Sequence, residues 1–230
     1  MRADVTGNTL SDTTMNVLLV YTFSSIGKKV LMAVSGAGLG LFLLIHLLGN
    51  ATVFLGREAF VAYASHLHSL GALIPVAEFI FAIILLLHLT LGLILYIENL
   101  KVRPVRYHLS QEAGGRTLGS KTMPYTGLVV LAFLVVHLLS FRQPTQGAAG
   151  ADLLRGTLRQ PGMVLIYLFS FLALGLHTSH GFWSLFQSLG FNHPRYDRFL
   201  RRGAVLVSVV GGGVLMLIPL LAFFVDDFLL

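Results

Sequence analysis

The chain has 230 residues, of which 55% are hydrophobic and only 11% are charged, and its mean hydropathy is +0.80. This composition excludes an ordinary soluble domain and predicts a membrane protein. Cysteine is absent, which excludes disulfides, thiolate metal sites, iron–sulfur clusters held by this chain and covalent c-type haem. The net charge of +6 does not indicate a nucleic-acid partner, because the basic residues lie between apolar runs, where membrane topology explains them.

Five continuous apolar runs are each close to or above the roughly 20 residues that a membrane-spanning helix needs. Because the runs are continuous rather than alternating, they favour helices over a β-barrel. We predict one all-α membrane domain over 1–230, a five-helix bundle with spans at about 29–55, 72–98, 123–141, 161–190 and 204–225. Between them, residues 57–71 have the pattern of an amphipathic interfacial segment, and residues 142–160 have the turn chemistry of a loop.

The charges of the connecting segments predict the orientation. The N-terminal stretch lacks the residue order of a cleaved signal peptide, which favours a short cytoplasmic arm. With that end in the cytoplasm, the cytoplasmic segments carry twelve Lys and Arg residues and the outer segments carry four. This difference follows the positive-inside rule. The sequence therefore predicts a cytoplasmic N-terminus and an outer C-terminus.

Four of the five runs carry histidine deep in the span: His46, His88, His137 and, in the fourth run, His177 with His180 three residues later. Ionisable side chains at this depth are costly and indicate function. Counted from the outer ends, His88 and His177 lie roughly 10–18 Å deeper than the other two, at about 1.5 Å per residue. Two depth classes favour two haems, each between two imidazoles, which suits electron transfer. A proton or ion pathway, hydrogen-bonded interior histidines, and His180 in place of His177 remain alternatives.

Three polar residues near the predicted outer face are candidates for contact with a quinone and for proton transfer. Glu78 lies in the outer third of the second run, where it could accept quinol protons or simply be an acid at headgroup depth. His66 and His68 lie in the interfacial segment 57–71. Their functional interpretation is quinone contact or proton exchange, and the alternative is that both are solvated polar residues.

Three stretches resemble a known family, the dihaem five-helix cytochrome b subunits of the succinate:quinone oxidoreductases (succinate dehydrogenase and fumarate reductase). The stretch 24–50 reads SSIGKKVLMAVSGAGLGLFLLIHLLGN and is similar to the family's first helix. The stretch 87–104 reads LHLTLGLILYIENLKVRP and resembles the exit of the second helix. The stretch 176–197 reads LHTSHGFWSLFQSLGFNHPRYD and resembles the fourth helix and its exit. The resemblance covers essentially the whole chain from Ser24 to the last helix.

This resemblance implies roles for the histidines. His46 and His137 would bind the distal haem iron near the outer face, and His88 and His177 would bind the proximal haem iron near the cytoplasmic face. The resemblance favours His177 over His180, because His177 precedes the following Gly–Phe step by the family's spacing. His180 then becomes a neighbour that could hydrogen-bond a haem propionate or contact soluble subunits.

The resemblance also implies polar partners for the haem propionates. Lys28, Lys29 and Arg103 are the candidates, because a buried carboxylate needs a charged or hydrogen-bonded partner. One position departs from part of the family. Some members have a glutamate two residues before the fourth-helix ligand, as part of a proton path, and here that residue is Gly175. We therefore do not expect that route in this chain.

The implied function is that of the membrane anchor of a respiratory and tricarboxylic acid cycle enzyme in the bacterial cytoplasmic membrane. A flavoprotein and an iron–sulfur subunit would dock on the cytoplasmic face, and the complex could form a higher oligomer. Electrons would pass between their clusters and a membrane quinone, expected to be menaquinone, through two haems b. The chain itself would make no contact with succinate. The alternatives are the cytochrome b of another quinone-linked enzyme, such as a hydrogenase, and a haem-free proton or ion transporter.

Overall fold

The computed structural model of the chain describes residues 24–102, 117–141, 148–191 and 193–228. Within these ranges the secondary structure is helical throughout, with no β-strand. One short 3-10 helix, Ala51–Leu55, directly follows the first α-helix. The seven α-helices are α1 (Ser25–Asn50), α2 (Arg57–Ser69), α3 (Leu73–Val102), α4 (Leu118–Phe141), α5 (Ala148–Leu158), α6 (Pro161–Ser188) and α7 (Pro194–Phe224).

Five of these helices are long and apolar enough to cross a membrane: α1 with its 3-10 extension, α3, α4, α6 and α7. Large apolar side chains cover their outer surfaces; Leu86 of α3 and Leu139 of α4, for example, are 62% and 67% exposed. Surfaces of this kind are stable in contact with lipid rather than water. The prediction of an all-helical, five-span membrane protein is confirmed at this level.

Three of the long helices begin earlier than hydropathy predicted. The first α-helix starts at Ser25 rather than at about 29, because the Ser24 side chain caps it by accepting a hydrogen bond from a backbone N–H in the first turn (3.0 Å). Helix α4 starts at Leu118 rather than at about 123, after Thr117, whose hydroxyl accepts a hydrogen bond from the Ser120 N–H (3.1 Å). Helix α7 starts at Pro194 rather than at about 204, with proline in its first turn and His193 as the capping residue. Caps and prolines set these starts, so the helices extend beyond the apolar part of the sequence.

The sequence predicts a loop over 142–160. This prediction is wrong for Ala148–Leu158, which forms helix α5. Ala151, Leu154 and Leu158 repeat at three- and four-residue spacing and are all buried, which gives α5 one apolar face against the bundle. This periodicity outweighs the glycine and polar residues that predicted turns.

The segment predicted to be amphipathic forms α2, in which no residue is buried. It packs on the 3-10 helix and on α5. Arg57 at its start forms an ion pair with Asp152 of α5 (2.8 Å) and donates to the Ala148 carbonyl (3.2 Å). The guanidinium lowers the pKa of Asp152 below its usual value, and the carboxylate raises that of Arg57. The two short helices are therefore joined outside the membrane-spanning segments.

Helix α6 is the centre of the bundle. It packs against α7, α4 and α1, and α1 in turn packs against α3. Within the described ranges, α3 and α4 make little direct contact. The helices α3, α1, α6 and α4 therefore follow one another around a four-helix arrangement that is open between α3 and α4. Its diagonals join α1 to α4 and α3 to α6.

The two ends of the bundle differ in charge. We call the basic end the one at which α1, α4 and α7 begin and α3 and α6 end. It carries Lys28, Lys29, Lys101, Lys121, Arg195, Arg198, Arg201 and Arg202. The opposite end is closed by a buried apolar cluster of α6, α7, α5 and the 3-10 helix, comprising Val53, Leu154, Leu158, Tyr167, Phe171, Leu215, Ile218 and Ala222.

Two histidine pairs as a candidate cofactor site

The structure brings the four deep histidines together as two pairs, one on each diagonal of the four-helix arrangement. His88 of α3 and His177 of α6 form the inner pair, with ring centroids 6.4 Å apart. His46 of α1 and His137 of α4 form the outer pair, with ring centroids 5.8 Å apart. Each pair therefore links two helices across the interior of the bundle.

The two pairs lie at different depths. Tyr167 of α6 contacts His137 of the outer pair (3.0 Å), whereas His177 of the inner pair is ten residues further along the same helix. On α1, Ser35 contacts His88 of the inner pair (3.2 Å), and His46 follows eleven residues later. At 1.5 Å per residue, both helices place the pairs about 15 Å apart along the bundle.

Each histidine of the inner pair has a hydroxyl group next to its Nδ1. The Ser35 hydroxyl donates to a carbonyl of its own helix (3.1 Å) and lies 3.2 Å from His88 Nδ1. The Thr126 hydroxyl likewise donates to a carbonyl one turn earlier (3.0 Å) and lies 3.4 Å from His177 Nδ1. A hydroxyl that donates its one proton to the carbonyl can accept from the imidazole Nδ1–H. In that arrangement Nε2 of both rings is the unprotonated nitrogen.

Aromatic side chains surround the outer pair. The buried hydroxyl of Tyr167 is the hydrogen-bond partner of His137 Nδ1. Phe133 and Phe141 lie one turn to either side of His137, with ring centroids within 5.6 Å of it. Phe42 stacks on His46 (5.5 Å). Apolar rings therefore surround the outer pair, and the Tyr167 phenol hydrogen-bonds one of its two histidines.

Two glycines leave space for the inner rings. A Cβ atom at Gly36 of α1 would lie 3.3 Å from His88 Cε1, and one at Gly127 of α4 would lie 3.4 Å from His177 Cε1. Both distances are at or below the limit of an ordinary carbon contact, so a side chain at either position would press on an imidazole. The small residues therefore keep the interior open around both rings.

The geometry of each pair fits two ligands of one metal ion. A metal–imidazole nitrogen bond is about 2 Å long, so two rings on opposite sides of one ion have centroids roughly 6 Å apart. The two observed distances fall on either side of that value. A ligating histidine normally donates its other N–H to a neighbouring acceptor, and Ser35 and Thr126 are in place to accept from the inner rings. Within the described residues no cluster of three or more potential ligands occurs, so each pair would supply two ligands only.

His180 lies apart from the pairs. Its ring packs on Trp183 (5.6 Å), and its Cβ faces the start of α4 at Gly119. Its Nδ1 is buried and has no hydrogen-bond partner among the described residues. Gly175 faces the backbone of α7 at Ser208, rather than either pair.

The predicted propionate partners are placed as follows. Lys28 is half-buried and forms an ion pair with Glu98 of α3 at the basic end, so it already has a carboxylate partner. Lys29 is exposed at the same end. Arg103 lies outside the described residues.

The three residues predicted for quinone and proton chemistry are exposed and lie toward the opposite end. Glu78 is in the first half of α3. His66 and His68 are in the last turn of α2, where His68 Nδ1 donates to a carbonyl of its own helix (2.7 Å). Among the described residues, no hydrogen bond joins Glu78 to either histidine. Their predicted role stays a prediction.

Three residues that contact the paired histidines were not predicted from the sequence: Ser35, Thr126 and Tyr167. Serine and threonine in a membrane helix commonly hydrogen-bond carbonyls of their own helix, and both hydroxyls do this here. Their contact with an imidazole depends on how two helices are rotated against each other, which one sequence does not show.

When the chain was compared with protein-family models, with curated proteins and with solved structures, no family model matched, and no curated protein or solved structure matched significantly. The functional assignment therefore depends on the geometry of the two histidine pairs and on the residues that carry the resemblance.

Proposed function

We propose that this chain is the membrane-anchor cytochrome b subunit of a succinate:quinone oxidoreductase. It carries electrons between an iron–sulfur subunit and the membrane quinone pool through two bis-histidine haems b. The observation that carries the proposal is the arrangement of the four histidines as two diagonal pairs, with ring centroids 6.4 and 5.8 Å apart. A separation of about 15 Å along α6 suits electron exchange between two bound groups.

The residues present fit haem b better than a metal held by protein alone. Each pair offers two imidazoles, and a six-coordinate iron with two such ligands needs its other four from a macrocycle. Bound haem b supplies one-electron chemistry at iron. His46 and His137 would hold one group and His88 and His177 the other. Two imidazoles at each group would favour electron transfer over oxygen chemistry.

Neighbouring residues hold the ligands in place. Ser35 and Thr126 lie next to Nδ1 of the inner histidines; by accepting the Nδ1–H they would keep Nε2 unprotonated and fix the ring orientation. In the outer pair, the Tyr167 hydroxyl likewise lies beside Nδ1 of His137. The aromatic rings around the outer pair exclude water, and a low-dielectric environment is one of the ways a protein sets a haem potential.

The ends of the bundle support a topology with the basic end in the cytoplasm. The flavoprotein and iron–sulfur subunits of the complex would dock there, against the basic residues that begin α7 and Lys29. The chain is then a multi-pass protein of the bacterial cytoplasmic membrane with menaquinone as its expected electron partner. It contributes to the enzyme without binding succinate.

A pyridine haemochrome assay on the purified chain tests the proposal. Two haems per chain are expected. A haem-free proton or ion transporter would contain none, so colourless protein that is folded and monodisperse would refute the proposal.

Affinity purification from membranes tests the choice of complex. The tagged chain should retain a flavoprotein and an iron–sulfur protein, and the complex should reduce quinone with succinate or reduce fumarate with quinol. Recovery of a hydrogenase instead, with hydrogen-dependent quinone reduction, would assign the chain to the other class of cytochrome b.

A further inference from the structure

A cavity between α6 and α7, closed at one end by the start of α4, lies apart from both histidine pairs. Its volume is about 470 Å³, within the range of small-molecule sites. Apart from Ser208, its polar groups lie at the basic end, where His180, Trp183 and Arg201 line it. Towards the bundle centre its walls are apolar and end near Met216.

The charged side chain in the cavity lining already has a carboxylate partner. Arg201 is the one formally charged residue in the lining, and it forms an ion pair with Asp197 (3.6 Å) and stacks over the Trp183 ring (4.4 Å). Asp197 also accepts hydrogen bonds from Trp183 (2.8 Å) and from Gln187 (3.2 Å). Because the charge of Arg201 is already paired with a carboxylate, the cavity favours a neutral ligand over an anionic headgroup.

The same end offers a hydrogen bond and aromatic surface to a ligand. His180 Nδ1 is buried and has no partner within the described part of the chain, and a buried polar group normally has one. The His180 ring lies against Trp183. A flat neutral ring that carries an oxygen acceptor fits this combination.

The opening of the cavity faces the lipid side of the bundle. Leu172 of α6 and Val209 of α7 both line it and are 55% and 65% exposed. An apolar tail could therefore extend from the cavity between α6 and α7 into the bilayer. Small residues on α7, Gly212 and Gly213, leave space along this route.

We propose that the α6–α7 cavity binds the ring of a lipid-soluble quinone at its basic end, with the isoprenoid tail along the apolar wall. This inference rests on the proposed function, in which quinone is the electron partner. His180 lies three residues from His177, about 4.5 Å along α6, so the ring would be held beside the inner pair. It would also lie at the opposite end of the bundle from Glu78.

Photolabelling of the purified, haem-loaded protein in detergent tests the site without any substitution. The probe is an azido-substituted naphthoquinone with a short isoprenoid tail, and the labelled peptides are mapped by mass spectrometry. Labels should fall in 172–183 and 201–216 and should disappear with excess unlabelled naphthoquinone. Labels confined to α2 and the first half of α3, or competition by phosphatidylglycerol in place of naphthoquinone, would overturn the proposal.

A pair of glycine substitutions on α7 tests the cavity itself. Gly213→Leu places a side chain in the cavity, and Gly203→Leu is the matched control, because a Cβ at either position meets no atom within 4 Å and Gly203 is outside the lining. Position 213 lies about 18 Å along α7 from Arg201, beside the tail rather than the ring, so the ligand is the naphthoquinone with its isoprenoid tail. We expect Gly213→Leu to raise its Kd by about tenfold or more, or about 1.4 kcal/mol, and the control to leave it unchanged. An equal Kd for Gly213→Leu and wild type would refute the site.

Haem content measured on the same samples separates the two proposals. Two haems per chain together with a refuted cavity would remove only this quinone site and leave the cytochrome function standing. Absence of haem would remove the proposed function, whatever the labelling pattern.

Discussion

Thr126→Val tests whether the hydroxyl beside His177 positions a metal ligand. Valine has nearly the shape of threonine but cannot accept a hydrogen bond from His177, whose Nδ1 lies 3.4 Å from the Thr126 hydroxyl oxygen. Losing a hydrogen-bond partner of a ligating histidine costs about 10- to 100-fold in metal affinity. We therefore expect haem to leave the inner pair about 10- to 100-fold faster than in wild type.

The substitution should also change the midpoint potential of the inner haem in a defined direction. An acceptor on Nδ1–H makes the imidazole a stronger electron donor to iron, which stabilises the ferric state. Without the hydroxyl, the midpoint potential of the inner haem should rise, and that of the outer haem should stay unchanged.

The assay combines haem transfer to apomyoglobin with a spectroelectrochemical titration of the purified protein. Thr122→Val is the matched control, because Thr122 lies one turn earlier on α4 and its hydroxyl donates only to carbonyls of that helix. Equal haem-loss rates and equal potentials in wild type and Thr126→Val would refute the reasoning. A change of the same size in Thr122→Val would show that the effect comes from the helix rather than from the imidazole contact.

Three further substitutions have defined outcomes. Gly49→Ala places a Cβ within the volume of the Tyr63 ring, so the free energy of unfolding should fall by about 1–3 kcal/mol, and an unchanged Tm in detergent would contradict this. Gly36→Val should displace the His88 ring, which lies 3.3 Å from the new Cβ, and should remove the inner haem's absorbance and leave the outer one's. Asp152→Asn should speed proteolysis of the segment around α5 at neutral pH. Because the pKa of Asp152 is lowered by its ion pair, this stabilisation is present above the unfolded-state pKa and is lost as the pH falls through the folded-state value. Cleavage rates of variant and wild type should therefore converge in acid, and a difference that persists there would count against the ion pair.

The five spans could be predicted because the hydrophobicity of each span's own residues is enough to identify it. Each needs about 20 apolar residues, and the five runs found in the sequence are the five long helices of the structure. The ends were less accurate where polar residues continue the helix. At Pro194 the fixed backbone of proline begins α7 well before the apolar run.

Helix α5 was missed because two signals compete in its sequence. Glycine and polar residues around 142–160 predict turns, whereas Ala151, Leu154 and Leu158 have helical spacing. In an 11-residue helix, only packing against the bundle can decide between them. The buried face of α5 supplies that packing.

The histidines could be selected from depth alone, but their environment could not. An ionisable residue in an apolar run is visible in the sequence, and so is the difference in depth between His46 and His88. The hydrogen bonds of Ser35 and Thr126 to imidazoles on other helices depend on helix rotation. The α6–α7 cavity depends on how two helices pack together, so the sequence of neither helix alone predicts it.

The measurement that tests the central claim most directly is the number of haems per chain in single alanine variants of the paired histidines. Wild type should contain two haems, and alanine at His88 or His177 should remove the inner haem and its absorbance. Alanine at His46 or His137 should likewise remove the outer one. His180→Ala, three residues from His177 on the same helix, should keep both. Two haems with unchanged spectra in all four paired-histidine variants would contradict the account.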